Sequence, residues 1–184
     1  MKELARLEDD GLFIDEVGTW SEEKYQLVSA YASIFAASMR KKYKALVYID
    51  MYAGPGRVKI KHTTRIYASS PINALNVDPP FDRLVFCELE DQKLEALKAR
   101  CAAGYPNRDI HFVGGDVNDN ANRILSLIPQ HKRDHGVLTL CFVDPYQMKN
   151  LRFDTLRGLE SRWIDFLVLI PSEMDGERAY RNYI

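Results

Sequence analysis

The sequence predicts a single α/β domain built on a doubly wound, mostly parallel, Rossmann-like sheet. Three observations predict it. Five short apolar runs each close on an acid, a glycine or a proline; segments with apolar residues at intervals of three and four lie between them; and the first run ends in an acid and a glycine-bearing turn, Tyr48-Ile49-Asp50-Met51-Tyr52-Ala53-Gly54-Pro55-Gly56. Short, nearly continuous apolar runs suit strands buried on both faces of a parallel sheet. Strands alternating with helices imply right-handed crossovers, which place every strand's carboxyl end along one edge.

Taken in order, Thr19-Trp20-Ser21-Glu22 has capping-box spacing and predicts a helix start. Tyr25, Val28, Tyr31, Ala32, Phe35 and Met39 then mark an amphipathic helix that ends near the basic Arg40-Lys41-Lys42-Tyr43-Lys44. Ala45 to Ile49 is the first strand, with Asp50 at its carboxyl end. Arg57 to Arg65 alternates basic and apolar residues and predicts a hairpin or a long loop. Ser70-Pro71 supplies a hydroxyl cap and a proline at the first helical position. Phe81 to Glu88 is the second strand, Ile110 to Val113 the third, before Gly114-Gly115-Asp116. Val137 to Val143 is the fourth, delivering Asp144-Pro145-Tyr146, and Ile164 to Ile170 the fifth, ending at Pro171. Helical spacing recurs over Asp91 to Ala102 and over Asn118 to Ile128.

A chain of 184 residues that is 46% hydrophobic is long enough for one domain with a real core. Residues 1–44 are expected to form an N-terminal helical cap and 45–184 the α/β core. Because the sequence ends just after the fifth run, and sheets of this class commonly carry further strands, either a fragment truncated after that strand or an unusually short version of the sheet is expected. A formal net charge of -1 gives no global pull toward nucleic acid or membrane, so any such contact must come from a local patch. Cys87, Cys101 and Cys141 lack metal-type spacing and read as buried, reduced thiols. His131 and His135 flank Lys132, Arg133 and Asp134 with no third ligand, so no metal is inferred. The charged start and the lack of a long apolar stretch predict a cytoplasmic protein.

The acids acquire roles from the sheet. In open α/β sheets ligands bind beyond the carboxyl ends of the strands, and glycines there admit the ligand without a Cβ clash. Asp50 and the backbone from Ala53 to Gly56 would face an amino-acid-like or phosphate tail, Glu88 the hydroxyls of a ribose, and Asp116 the exocyclic amine of an adenine. Each acid also has a plain structural role: Glu88 as a solvated strand end, Asp116 as a cap for the following helix, Asp144-Pro145 as a turn. The absence of Gly-Lys-Ser/Thr after the loop sets aside a P-loop, and no Gly-x-Ser-x-Gly elbow exists for a hydrolase.

This set resembles the class I S-adenosylmethionine-dependent methyltransferases, and the resemblance implies a cofactor site at Asp50, Tyr52, Ala53, Gly54, Gly56, Glu88, Leu89, Asp116, Val117 and Asp144. Asp144-Pro145-Tyr146-Gln147 is similar to the Asp-Pro-Pro-Tyr signature of methyltransferases that modify amino groups of nucleic-acid bases, with the second proline missing and the aromatic one place early. That likeness implies catalytic roles for Asp144, Pro145 and Tyr146. Over nearly its whole length the chain resembles the three-Cys-motif partner family, through Lys24-Tyr25 with Tyr31 and Phe35, Tyr48 to Gly56, Ser70-Pro71, Cys87-Glu88, Gly115-Asp116 and Phe142 to Tyr146. Its Ala-Gly-x-Gly loop, Ser-Pro and Asp-Pro also resemble, less closely, a family of ribosomal-RNA adenine methyltransferases.

Three functions follow as expectations. The first is methyl transfer from S-adenosylmethionine to an amino group of a nucleic-acid base, with Arg57, Lys59, Lys61 and Arg65 tracking the backbone beside the cofactor loop. The second is an adaptor on the same fold that works with a three-cysteine-motif protein. The third is a dinucleotide-dependent oxidoreductase, disfavoured because Gly-x-Gly lacks the third glycine and the ribose acid comes late.

Overall fold

The computed structural model describes residues 4–133 and 135–170, so Pro171 and the chain end lie outside the described residues. Five strands form one all-parallel sheet: β2 (Ala45–Asp50), β5 (Arg83–Glu88), β6 (Asp109–Gly114), β7 (Val137–Val143) and β8 (Ile164–Val168), in the order β6-β5-β2-β7-β8. The chain runs outward from β2 through β5 to β6, then returns to place β7 against the other side of β2. Strand order therefore reverses between β2 and β7, which opens a crevice beyond their carboxyl ends.

The inner strands β2, β5 and β7 are covered on both sheet faces, so successive residues that point to opposite faces are apolar almost throughout, whereas the outer β6 and β8 are only partly buried. Leu46 and Tyr48 of β2 pack with Leu138, Leu140 and Phe142 of β7 under α1 (Trp20–Met39), α2 (Ser70–Leu75) and α3 (Asp91–Gly104). Val47 and Ile49 join Val137, Cys141 and Val143 on the opposite face, under α4 (Ala121–Leu127) and α5 (Phe153–Leu159). All three cysteines are free and buried, as their place in the pattern predicts.

A second, three-stranded sheet was not expected. The basic segment is a hairpin of β3 (Arg57–Ile60) and β4 (Ile66–Ala68), and β1 (Asp15–Val17) pairs parallel with β3. The helix after β1 starts where the sequence placed it, but the capping box does not form. Thr19 is already helical and makes no side-chain cap, and Glu22 turns away to Arg65 at 2.7 Å. Along α1, Tyr25, Val28, Ala32 and Phe35 are buried, whereas Tyr31 is exposed. At α2 the cap position is Ser69 rather than Ser70, which shifts Pro71 one place into the helix. The helix predicted from Asn118 begins only at Ala121, because Asn118 to Asn120 form the turn that leads into it. No helix among the described residues is long and apolar enough to cross a membrane, and no cluster of potential metal ligands occurs among them.

Candidate functional site

One cavity of about 560 Å³ opens at the carboxyl edge of the large sheet, within the size range of small-ligand sites. Glu88 after β5, Asp116 after β6 and Asp144 after β7 all line it, together with Tyr52, Gly54, Leu89, Val117, Pro145 and Tyr146. Parallel strands in register bring these segments together from across the sequence. The strap ahead of α1, from Asp15 to Gly18, closes one side with Trp20, Ser21 and Lys24 of the helix's first turns.

Three expected residues do not line the cavity. Asp50 is fully buried beneath it, Ala53 is 2% exposed, and Gly56 faces the helices. The two glycines of the loop thus divide their work. Gly54, at φ +63°, has only the Asp15 Oδ2 at 3.6 Å from where a Cβ would stand, so it presents open backbone to the cavity. At Gly56, with φ +88°, a Cβ would meet Leu97 at 2.9 Å and Ile72 at 3.1 Å, so this glycine lets α2 and α3 pack against the loop.

Each acid is held differently. Glu88 is 8% exposed; its Oε2 accepts the Gly54 amide at 2.8 Å and its Oε1 the Glu90 amide at 2.9 Å. Each oxygen keeps a second lone pair for a ligand hydroxyl. Asp116 does not cap the following helix, whose cap position is Asn120, but closes the turn before it through one oxygen: Oδ1 accepts both the amide and the side-chain nitrogen of Asn118 at 2.8 Å. Asp144 Oδ2 accepts from Lys24 Nζ at 2.7 Å, and that ammonium also lies 4.6 Å from the Trp20 ring centre and 4.8 Å from that of Tyr25. Tyr146 is 79% exposed at the mouth.

The loop after β7 is tied down by groups that sequence reading missed. Asn150 offers its carbonyl to the Tyr52 hydroxyl at 3.1 Å and to Asn118 Nδ2 at 2.8 Å, while Asn118 Oδ1 accepts from the Arg152 amide and the Thr155 hydroxyl. Asparagines just after strand ends carry no distinctive spacing, so no signal singled them out. Lys24 stood in the quoted motif, but its pairing with Asp144 spans 120 positions.

Asp50 is the site's most perturbed carboxyl. Burial pushes it up to about 7, against the Ser70 hydroxyl and the Tyr52 amide, which pull it down, while the charges of Asp144 and Glu88 add to the rise. Tyr52 donates its amide at 3.2 Å; the Ser70 hydroxyl does not close a bond of good geometry, so Oδ2 is buried without a partner among the described residues. An acid raised in the folded state favours folding while it stays protonated. That advantage is complete below the unfolded value near 4 and lost as pH rises through about 7. Asp50→Asn is therefore expected to gain stability relative to wild type between pH 5 and pH 8, by an amount read from paired urea titrations. An unchanged difference at the two pH values would refute the assignment.

The predicted basic track is largely paired within the protein. Arg57 meets Asp10 at 3.3 Å, Lys59 meets Glu16 at 3.7 Å and Arg65 meets Glu22 at 2.7 Å. Lys61 has no ion pair among the described residues and lines the cavity.

The five-stranded all-parallel sheet flanked by helices is an α/β fold of the class I methyltransferase-like type. A Legionella pneumophila protein of the DUF519 family superposes with a TM-score of 0.51 at 18% identity, over 74% of this chain and 63% of that one. This chain therefore spans less than two thirds of that structure. The Escherichia coli protein YhhF, which carries a methyltransferase assignment, superposes with a TM-score of 0.50 at 16% identity, over 91% and 80% of the two chains. At such identities the likeness is one of fold. No family model matches the sequence, and no curated protein matches it.

Proposed function

We propose that this protein is an S-adenosylmethionine-dependent methyltransferase acting on an amino group of a nucleic-acid base, and that it belongs with the three-Cys-motif partner family it resembles. The single observation that carries this is the convergence of Glu88, Asp116 and Asp144, from three strand ends, on one cavity. The residues present fit the cofactor. Gly54 offers a cradle that a Cβ would fill, Glu88 has lone pairs free for ribose hydroxyls, and Asp116 keeps its second oxygen for an adenine amine. When bound, the sulfonium supplies an electrophilic methyl group.

The chain's own residues then need only orient and desolvate the amine. Lys24 occupies Asp144 Oδ2, so Oδ1 remains to accept an N–H of the substrate and aim its lone pair. The ion pair has no net charge, so it is poorly made to hold an alkylammonium or to strip its proton. An exocyclic base amine, neutral at pH 7, suits it better. Lys61, which lines the cavity and has no ion pair among the described residues, supplies the phosphate-facing charge in this reading. The test is a thermal-shift titration: S-adenosylhomocysteine at about 100 times its Kd is expected to stabilise the protein by about 2.7 kcal/mol, and a nicotinamide dinucleotide not at all. A reversed order would refute the proposal in favour of an oxidoreductase.

A second reading, an adaptor for a three-cysteine-motif protein, is favoured by one observation. Leu27, Tyr31 and Ile34 form an exposed stripe along α1, where a surface helix ordinarily presents polar residues. Cofactor binding without methyl transfer to any RNA or DNA pool, with a copurifying partner, would support it.

A further inference from the structure

Trp20 is the residue of the cavity that the fold does not explain. It stands at the first position of α1, 62% exposed, and takes no part in the core. A tryptophan left so open gives the helix nothing that a polar residue would not give, since its large apolar face is mostly wasted on water. Yet the indole is positioned. A Cβ on Gly18 would come within 2.9 Å of Trp20 Cδ1 and 3.0 Å of Nε1, so the ring edge rests against that glycine's backbone. The Lys24 ammonium sits over the ring at 4.6 Å from its centre and reaches Asp144 Oδ2 at 2.7 Å. One ammonium therefore separates the indole from the acid that would hold the reacting amine. The other open aromatic of the cavity, Tyr146, follows that acid by two residues.

From this arrangement we infer that Trp20 is a stacking platform for an unpaired nucleobase at the mouth of the cavity, so that the site selects bases whose faces are bare over bases held in a duplex. The inference rests on the proposed function, because it takes the planar ligand to be the base whose amine Asp144 receives. Stacking on an aromatic ring is sequence-tolerant, since every base has a π-face. It favours single strands because a paired base must first leave its stack. Gly18 and Lys24 act as positioning residues that hold the indole in place.

The sequence contains two tryptophans. Trp163 precedes β8 at the opposite edge of the sheet, stacked on His131 at 4.5 Å, and Trp163→Phe leaves Trp20 as the one indole reporter. With S-adenosylhomocysteine present, a single-stranded oligonucleotide is expected to quench Trp20 emission, and the duplex of the same sequence to need about tenfold more for the same effect. Ribose and deoxyribose strands, run as separate arms, distinguish RNA from DNA as the source of the base. Trp20→Ala is expected to weaken single-strand binding about tenfold by fluorescence anisotropy, with Trp20→Phe restoring most of it. Gly18→Ala, which pushes the ring aside without deleting it, should fall between them. If S-adenosylhomocysteine still stabilises the protein while Trp20 emission ignores both strands and Trp20→Ala binds as wild type, the stacking role is wrong and the proposed function stands. If S-adenosylhomocysteine does not bind, the proposed function falls first.

Discussion

Asp144→Ala is expected to lower methyl transfer to a nucleic-acid pool by about 10²- to 10³-fold, the usual cost of removing one positioned hydrogen-bonding group from a reacting centre. Cofactor binding should survive, because Glu88, Asp116 and Gly54 are contributed by other segments. The alanine also strands the Lys24 ammonium, whose side chain is only 12% exposed, and an unpaired charge there costs stability in its own right. Asp144→Asn separates the two effects. It keeps an acceptor for Lys24 while removing the negative charge and making the other position a donor, which repels an incoming N–H. Both variants should lose turnover, and asparagine should lose less stability. Turnover within threefold of wild type in a radiolabelled-methyl assay on total RNA and DNA would remove Asp144 from the reaction.

The large sheet was legible because its signal is local. Every residue of Val137 to Val143 is buried and all but Thr139 are apolar, as a strand covered on both faces demands, so the sequence states the fact almost directly. The acids at the strand ends were legible for a related reason: parallel strands in register must deliver their carboxyl ends to one edge, and Glu88, Asp116 and Asp144 meet there.

What was not legible depends on partners far along the chain. Asp15-Glu16-Val17 is too short and acidic to read as a strand, and it becomes one by pairing with Arg57 to Ile60. Its Glu16, with Asp10 and Glu22, then pairs with three of the four cations that looked like a nucleic-acid track. Thr19 to Glu22 matches a capping box in spacing alone, and the competing Arg65 takes Glu22 away. Gly56 was assigned to the ligand, although its missing Cβ is needed by Leu97 and Ile72. A glycine in a loop announces close approach without saying which side approaches. Asp50 was placed in the cavity by analogy with the other strand ends, but β2 is the central strand, and there the acid is sealed under the loop that follows it.

Arg100 carries the second large prediction, and it connects the strap to the motif loop. Its guanidinium grips Asp10 with two parallel bonds, Nε to Oδ2 at 2.8 Å and Nη2 to Oδ1 at 2.7 Å, and its Nη1 donates to the carbonyls of Phe13 and Pro55. The Arg100 side chain is 4% exposed, and its hydrogen bond is the main reason the Asp10 carboxyl falls to about 2, ahead of the opposing effect of burial. Removing the guanidinium leaves Asp10 to its longer contact with Arg57 at 3.3 Å and two carbonyls without that donor, so Arg100→Met is expected to cost about 3 kcal/mol, a large part of a typical domain's stability. Arg100→Lys should recover only part of it, because a lysine cannot span both oxygens and both carbonyls at once. The pH dependence has a definite sign. A carboxyl lowered in the folded state stabilises above its unfolded value near 4, and the gain is lost as pH falls through about 2. Wild type should therefore lose more stability than Arg100→Met between pH 4 and pH 2. Because Pro55 lies in the loop beside Gly54, and the strap from Asp15 to Gly18 walls the cavity, the variant should also bind S-adenosylhomocysteine more weakly. A urea midpoint unchanged at pH 7, with cofactor affinity intact, would show that the strap is held by its β1–β3 pairing alone.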